Sequence, residues 1–207
     1  MTRVLALLIA LALAAPAWGQ SARRPAVPPE APRILSDIGS WTGVNGGRRD
    51  QVHTGIDIGG PDGQPIIAAA DGVVLEATVE RCWGPTVAVD HGRARDGTRL
   101  ITLYGHVDQM LVQAGQRVRR GQEIARLGNN HHRFPCIGGV RHLHFQIGQH
   151  YRTDKGSYWG HVYFLIDGFN PVNPHLHWAD GAGRVTCFRP GVAYPEGTLT
   201  YPLPCRN

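Results

Sequence analysis

Apolar residues recur in the middle of the chain as short runs separated by turns that are rich in Gly and Asp. Two runs flank a turn at Asp71-Gly72, and others alternate between apolar and polar positions as strands do. The runs that predict strands are residues 65–79, 86–90, 99–104, 117–127 and 143–147. Only residues 108–114 favour a short helix. The pattern therefore predicts an all-β, mainly antiparallel fold of the sandwich, roll or barrel type.

The N-terminal end has a different pattern. Arg3 precedes an almost continuous apolar run over residues 4–15, and Ala17-Trp18-Gly19 supplies the small residues of a cleavage site. This layout is typical of a secretory signal peptide, because the run is short for a membrane span. We expect residues 1–19 to be removed on export, with an uncleaved anchor as the alternative. The exported chain would then have no membrane span.

The remaining chain divides by composition into three parts. Residues 20–35 are rich in Pro and polar residues and predict a flexible leader. Residues 36–150 hold the strand pattern and predict the main domain. Residues 151–207 are rich in aromatic residues and Pro, and they predict a loop-rich C-terminal appendage that packs on the same domain.

Composition and charge narrow the class of protein. The 207 residues include 27 Gly and 15 Pro, which suits short strands and many turns better than a helical bundle. The formal net charge is +5, and a basic exported protein is expected to favour anionic surfaces such as cell-wall polymers. No Lys/Arg cluster is present, so nucleic acid is not an expected partner.

The four cysteines are expected to form disulfides. They all lie in the exported part of the chain, and an even count in an oxidising compartment predicts two bonds. Three connectivities are possible. We favour Cys82–Cys136 and Cys187–Cys205, because the second pair would staple the C-terminal tail locally.

Three local patterns organise the most informative of the 11 histidines. His53 and Asp57 are both possible zinc ligands, and Gly55 between them permits a bend that could bring them to one ion. His142 and His144 are two apart, so on a strand both face the same side. His106 follows an apolar run and could line a groove at the end of a strand. Each pattern alone also suits structural or surface histidines.

Taken in order, these motifs resemble the lysostaphin-like, or LytM-type, zinc metallopeptidases that cut the peptide part of bacterial cell wall. The resemblance covers about residues 50–150, roughly half of the chain. The motifs that carry it are HTGIDI (53–58), GQPIIAAADGVV (63–74), HG (91–92), LYGHV (103–107), VRRGQEIARLG (118–128) and HLHF (142–145). It implies a β-sandwich or roll with a substrate groove.

The resemblance also implies a role for each matched residue. His53, Asp57 and His144 match the three ligands of one zinc ion. His142 matches the histidine proposed as general base, and His106 matches the second catalytic histidine, which orients water or stabilises the oxyanion. Three ligands leave a position open for water, whose pKa zinc lowers, and a histidine can accept its proton. The implied function is an exported zinc metalloendopeptidase that hydrolyses peptide cross-links of peptidoglycan.

Some positions depart from the family pattern. Gln146 stands where many members have Glu, outside the five matched roles. Residues 129–141 are longer than the usual Thr-Gly-rich turn and contain Cys136, which leaves substrate preference and the substrate-binding residues open. His175-Leu176-His177 repeats the HxH pattern, but it follows Pro174 and has no HxxxD partner of its own, so we expect it to be structural.

Two other functions remain open at this level. One is a catalytically silent wall-binding or amidase-activating module on the same fold, although such relatives usually lack one of the five residues. The other is a His-rich metal-buffering or structural protein of the periplasm, which would not explain the ordered motifs. We expect a monomer in the periplasm, or a secreted protein, that acts on peptidoglycan peptide stems. The cross-link cut, control by a leader or partner, and the role of residues 151–207 stay open.

Overall fold

A computed structural model describes residues 24–167 and 170–206, and their fold consists of two antiparallel β-sheets. The predicted signal peptide lies outside the described residues. Over the described ranges no helix is both long and apolar enough to cross a membrane. The ten strands are β1 (Ile34–Ser36), β2 (Ile56–Gly59), β3 (Pro65–Ile67), β4 (Gly72–Glu80), β5 (Gly84–Arg93), β6 (Arg99–Gly105), β7 (Gln109–Met110), β8 (Arg117–Val118), β9 (Glu123–Arg126) and β10 (His142–Gly148).

The larger sheet has seven strands in the order β1-β2-β10-β6-β5-β4-β8, and the smaller has the order β3-β9-β7. Every pairing within the two sheets is antiparallel. The described helical segments are single 3-10 turns at Pro135–Ile137, Gly160–Tyr163 and Pro174–Leu176. The predicted all-β antiparallel fold is therefore confirmed.

The predicted helix at residues 108–114 is wrong. This segment contains β7, which pairs with β9. The backbone N–H groups of Asp108 and Leu111 donate to the carbonyls of Arg126 and Ile124. These bonds to a neighbouring strand satisfy the backbone without a helix, so tertiary pairing overrides a weak local preference.

The main core lies between the two sheets, and the central strands β10 and β6 of the larger sheet are buried on both faces. On β10, Leu143 and Phe145 belong to the main core, which also contains Ile66 and Ile124 of the smaller sheet. A second cluster, which includes Leu103 of β6, packs on the opposite face. Because both faces are covered, the central strands have no solvent-exposed face, and the second face can hold a buried polar site.

The C-terminal residues complete the main core. Trp178, Leu199 and Tyr201 are buried in it, and the segment is closed by the Cys187–Cys205 disulfide. Cys82–Cys136 forms the second disulfide, so the structure shows the favoured pairing.

The part of the predicted leader that the structure describes contacts the C-terminal segment. Ala26 bridges to Arg184 of the C-terminal segment, and Val185 donates its N–H to the carbonyl of Ala26. The first strand already begins at Ile34. Because these backbone groups pair with the C-terminal segment, the Pro-rich residues are tied to the domain. The predicted boundaries at residues 19, 35 and 150 stay predictions.

Candidate metal centre and active site

Strand register brings the predicted ligands together. Strand β10 lies between β2 and β6, with His144 directly opposite Asp57 on one side and Gly105 on the other. His142 and His144 share the face that Asp57 occupies, while Leu143 and Phe145 enter the main core behind them. His53 precedes β2 and folds back over the same face. The side-chain direction predicted from the HxH spacing agrees with this arrangement.

Gly55 permits this approach by its lack of a side chain. A Cβ atom at position 55 would lie 2.5 Å from the Phe145 carbonyl oxygen and 2.8 Å from Nε2 of His144. Its φ is not in the left-handed region. The glycine is therefore needed for close packing against β10, which lets His53 lie beside Asp57.

Three donor atoms converge on one point. His53 Nε2 lies 3.0 Å from Asp57 Oδ1 and 3.1 Å from His144 Nδ1, and the last two atoms are 2.9 Å apart. A tetrahedral zinc ion with bonds of about 2.0–2.1 Å needs donors about 3.3 Å apart, close to these separations. All three residues are buried. The donor set and its geometry therefore fit a zinc ion.

The outer nitrogen of each ligand histidine has an oxygen partner. His53 Nδ1–H donates to the backbone carbonyl of Asp37 at 2.9 Å, and His144 Nε2–H donates to Gln146 Oε1 at 3.2 Å. With those protons on the outer nitrogens, both inner nitrogens present lone pairs to the carboxylate oxygen of Asp57. A cation between these atoms would stabilise lone pairs that face a carboxylate oxygen, so this arrangement suits a metal site.

Arg49 and Gln146 hold the ligands from behind. Arg49 Nη2 donates to Asp57 Oδ2 at 2.7 Å, which leaves Oδ1 for the shared point. Gln146 Oε1 also accepts the hydroxyl proton of Thr54 at 2.8 Å, so the amide is fixed. Gln146 is outside the five matched roles, as the family pattern implies, but the structure places it in contact with the predicted ligand His144. Its place two residues after His144 on the same strand could have indicated it.

The two predicted catalytic histidines lie beside this group. His106 and His142 have ring centroids 4.9 Å apart, and His142 Nε2 is 3.5 Å from Asp57 Oδ1. His142 Nδ1–H donates to the Val140 carbonyl at 2.7 Å, and His106 Nδ1–H donates to the Trp83 carbonyl at 2.8 Å. Both histidines therefore carry a lone pair on Nε2.

Burial keeps these imidazoles neutral. Desolvation lowers the pKa of His142, and the nearby Asp57 carboxylate opposes the shift only in part. Desolvation also holds the pKa of His106 well below its usual range, with further lowering by His142 and His144. Neutral imidazoles are suited to accept protons at neutral pH.

His106 has an unusual backbone conformation. It has φ of 65°, and it is the one non-glycine residue with positive φ in the described ranges. Such conformations cost on the order of 1 kcal/mol or more and occur where the surrounding structure imposes them, often at functional sites. Here Val107 donates its N–H to the carbonyl of Pro85 and accepts from the amide of Asn130. These bonds hold the chain just after His106.

Trp83 forms the floor of the site, which the sequence analysis missed. Its ring centroid is 4.6 Å from that of His144 and 5.3 Å from that of His106. The neighbouring Cys82–Cys136 disulfide ties this floor to the loop over residues 129–141. The position of Trp83 next to a cysteine was the only sequence signal.

The site opens into a groove. The three predicted ligands and both catalytic candidates line a cavity of about 600 Å³. Its walls come from three segments, at residues 43–54, 135–138 and 159–162. Trp159 is 53% exposed, and the side chain of Arg48 is also accessible along the wall. The wall of the groove therefore offers an aromatic and a cationic side chain to a bound molecule.

The HxH pattern at residues 175–177 does not form a second metal group. His175 lies in a 3-10 turn, where its Nε2 is 2.8 Å from Asp37 Oδ1. The expectation of a structural role agrees with this contact. The rings of His131 and His132 are tilted to each other with centroids 4.0 Å apart, and neither belongs to the group of three predicted ligands.

The fold and the site define an antiparallel β protein with a buried His-Asp-His centre at the base of a groove. The model of Peptidase family M23 matches residues 51–158, which are 108 of the 207 residues, and the chain belongs to this family. The resemblance to lysostaphin-like, LytM-type peptidases is therefore confirmed.

Several known proteins are similar to this chain. The Uncharacterized lipoprotein YgeR of Escherichia coli is 40% identical over 99 residues, which are 47% of this chain and 35% of that protein. Peptidoglycan DD-endopeptidase ShyA of Vibrio cholerae is 33% identical over 48% of this chain and 21% of its own length. Murein hydrolase activator NlpD of Salmonella dublin is 37% identical over 50% of this chain and 25% of its own length.

A solved zinc-containing peptidase from Vibrio cholerae is 28% identical to this chain. The alignment covers 60% of this chain and 35% of that chain, with a TM-score of 0.45. The aligned regions span about a third or less of the length of the relatives named here.

Proposed function

We propose that the protein is an exported zinc metalloendopeptidase that hydrolyses peptide cross-links of bacterial peptidoglycan. The observation that carries the proposal is the convergence of three donor atoms next to two neutral histidines. The similarity to a protein named as a peptidoglycan endopeptidase supports the substrate class. The basic charge and the predicted signal sequence support a place at the cell wall.

His53 Nε2, Asp57 Oδ1 and His144 Nδ1 would hold one zinc ion. When bound, zinc lowers the pKa of a water molecule and polarises the carbonyl of the scissile peptide. Arg49 and Gln146 keep the donor atoms in place, so the site need not rearrange when the ion enters.

His142 is the proposed general base. Its Nδ1–H is held by the Val140 carbonyl, so the imidazole cannot turn and Nε2 faces the centre. Nε2 accepts a proton from the attacking water and then delivers it to the leaving amine. Both steps use one nitrogen, which fits a rigid and buried imidazole.

His106 is proposed to orient the water. Its Nδ1–H is committed to the Trp83 carbonyl, so the neutral ring has an acceptor on Nε2 and no second donor. An acceptor can receive a hydrogen bond from water, whereas stabilising an oxyanion requires a donor. Of the two roles implied by the family resemblance, the geometry favours water orientation.

The same fold could instead serve as a regulator, since one similar protein is named as a murein hydrolase activator. A module that acts only by binding a partner has no need for aligned ligands and a strained catalytic histidine. All five matched residues are present here, and the donor atoms of the three predicted ligands lie close together, so the hydrolase is the better-supported function. We also propose a periplasmic location, which agrees with the similarity to a lipoprotein, and a monomeric state.

Digestion of purified peptidoglycan tests the proposal. The protein is loaded with zinc and incubated with sacculi, and the soluble and residual fragments are identified by mass spectrometry. We expect newly cleaved cross-links that vanish in His142→Ala, while the variant retains one zinc per chain. The cleaved bond identifies the substrate. Equal product patterns with the wild-type protein and His142→Ala, or no products from the zinc-loaded protein, would contradict the proposal.

A further inference from the structure

The first predicted zinc ligand is held by a turn that lies outside the family match. Residues 37–40 follow β1, and Gly39 donates its N–H to the carbonyl of His53. His53 in turn donates its backbone N–H to the carbonyl of Ser40. The side chain of His53 is held by the same turn, since its Nδ1–H donates to the Asp37 carbonyl at 2.9 Å. The position of this turn therefore sets the direction in which His53 Nε2 points.

Asp37 is itself held by the C-terminal segment. His175 Nε2–H donates to Asp37 Oδ1 at 2.8 Å, and the same oxygen accepts the N–H of Ile38 at 2.8 Å. Trp178 Nε1–H donates to Nδ1 of His175 at 3.0 Å, which fixes the proton of His175 on Nε2. A chain of hydrogen bonds thus runs from Trp178 through His175 to the carboxylate of Asp37, and the backbone carbonyl of Asp37 links it to His53.

Trp178, at one end of this chain of hydrogen bonds, is buried in the main core. Trp178 is 1% exposed and stacks on Phe145 with ring centroids 6.3 Å apart. Phe145 follows His144 on β10, so one tryptophan contacts the strand of one ligand directly and reaches the other ligand by hydrogen bonds. His175 is also buried. Such an anchor can hold the two ligands at a set separation.

None of Asp37, His175 and Trp178 lies within residues 51–158, which match the family. We propose that the C-terminal segment positions the zinc ligand His53 through His175 and Asp37, so that residues beyond the family domain set the metal affinity. His175 and Trp178 are positioning residues in this proposal, which rests on the ligand role of His53 given under the proposed function. It assigns a function to the second HxH pattern, because His175, the first residue of that pattern, supports the ligand His53.

Zinc affinity is the measurement that tests this proposal. The zinc dissociation constant of the purified protein is measured by competition with a chromogenic chelator, at a temperature well below unfolding. We expect His175→Ala to raise the dissociation constant about tenfold, as loss of an outer-shell partner of a ligand does. Trp178→Phe, which keeps the packed ring and removes the donor, should shift it in the same direction. Asp37→Asn keeps the accepting oxygen and should stay close to the wild-type protein.

His177→Ala is the matched control, because His177 belongs to the same motif and stands outside the chain of hydrogen bonds. Its dissociation constant should equal that of the wild-type protein. Long-range ¹H–¹⁵N spectra give a second readout, in which His53 should lose its single tautomer in His175→Ala. If His175→Ala does not fold, the zinc dissociation constants of Trp178→Phe and Asp37→Ala test the proposal, and we expect both to be raised.

The possible outcomes separate this inference from the proposed function. In one outcome the wild-type protein binds zinc tightly and loses it in His53→Ala, while the variants at His175, Trp178 and Asp37 all keep the wild-type affinity. That result would overturn the positioning role alone. A fall in melting temperature with unchanged zinc affinity would likewise show a purely structural contact. Failure of the wild-type protein to bind zinc at His53 would overturn both proposals.

Discussion

His144 lies directly opposite Asp57 across the β2–β10 pair, and its Nδ1 is 2.9 Å from Asp57 Oδ1. This contact depends on strand register. If β10 shifted by one residue against β2, His144 would face the main core and could no longer lie beside Asp57. Backbone pairing therefore sets the positions of Asp57 and His144. Arg49 and Gln146, which contact these two residues, orient their side chains.

Gln146 is expected to set the orientation of the His144 ring. Replacing it with Ala removes the acceptor for His144 Nε2–H, and we expect zinc affinity to fall about tenfold or more. Gln146→Glu keeps an acceptor oxygen and should bind zinc at least as tightly as the wild-type protein. The measurement is chelator competition on both variants. Equal affinities for Gln146→Ala and Gln146→Glu would show that this contact does not orient the ligand.

Arg49 is expected to hold Asp57 with one oxygen turned to the ion. Arg49→Ala removes the donor to Oδ2, and zinc affinity should fall by about tenfold. Arg48→Ala is the matched control. Arg48 is exposed and lines the same groove, but no described contact joins it to Asp57. Isothermal titration of both apoproteins with zinc gives the comparison. A larger loss in Arg48→Ala than in Arg49→Ala would contradict this assignment.

His106 is expected to act in the reaction and not in metal binding. His106→Asn removes the imidazole, while Asn tolerates the left-handed backbone at φ of 65°. We expect the rate of cross-link cleavage to fall by about 10²-fold, as for loss of a group that positions a reactant, with zinc content unchanged. Turnover of a soluble cross-linked fragment and metal analysis measure the two effects. Loss of zinc together with activity would place His106 among the ligands.

The apoprotein should lose stability in mild acid through His161. Burial lowers the pKa of His161 to about 4, below its ordinary value near 6.5. Between these two values the unfolded chain binds a proton that the folded chain does not, so stability falls as the pH is lowered through this window. Each pH unit there costs up to about 1.4 kcal/mol from this one residue.

Urea unfolding of the apoprotein at pH 6.5 and 4.5 measures this effect, with a chelator present to exclude metal release. His161→Asn removes the titrating group and should lose about 2–3 kcal/mol less than the wild-type protein over that interval. The same loss in both proteins would mean that His161 does not retain its depressed pKa.

The strand pattern and the histidine spacing were predictable because both depend on local geometry. His142 and His144 are two residues apart, which places both on one face of any strand. Residues 143–147 alternate between the two faces of a strand, and the structure places them in β10. By contrast, residues 108–114 favoured a helix locally and became β7, because their backbone groups pair with β9. A short segment has too little intrinsic preference to resist such pairing.

The contacts among Asp37, His175 and Trp178 could not be predicted from local sequence patterns. His175 is separated from Asp37 by 138 positions along the chain, yet their side chains are 2.8 Å apart. Residues so distant in sequence meet only after the sheets and the C-terminal segment have packed, and no periodicity records that meeting. The amino-acid order predicted strand faces, an export signal and a set of donor residues, since such predictions rest on composition and spacing. Packing decided which atoms face one another, which protons they hold and what supports them, since these depend on contacts between distant segments.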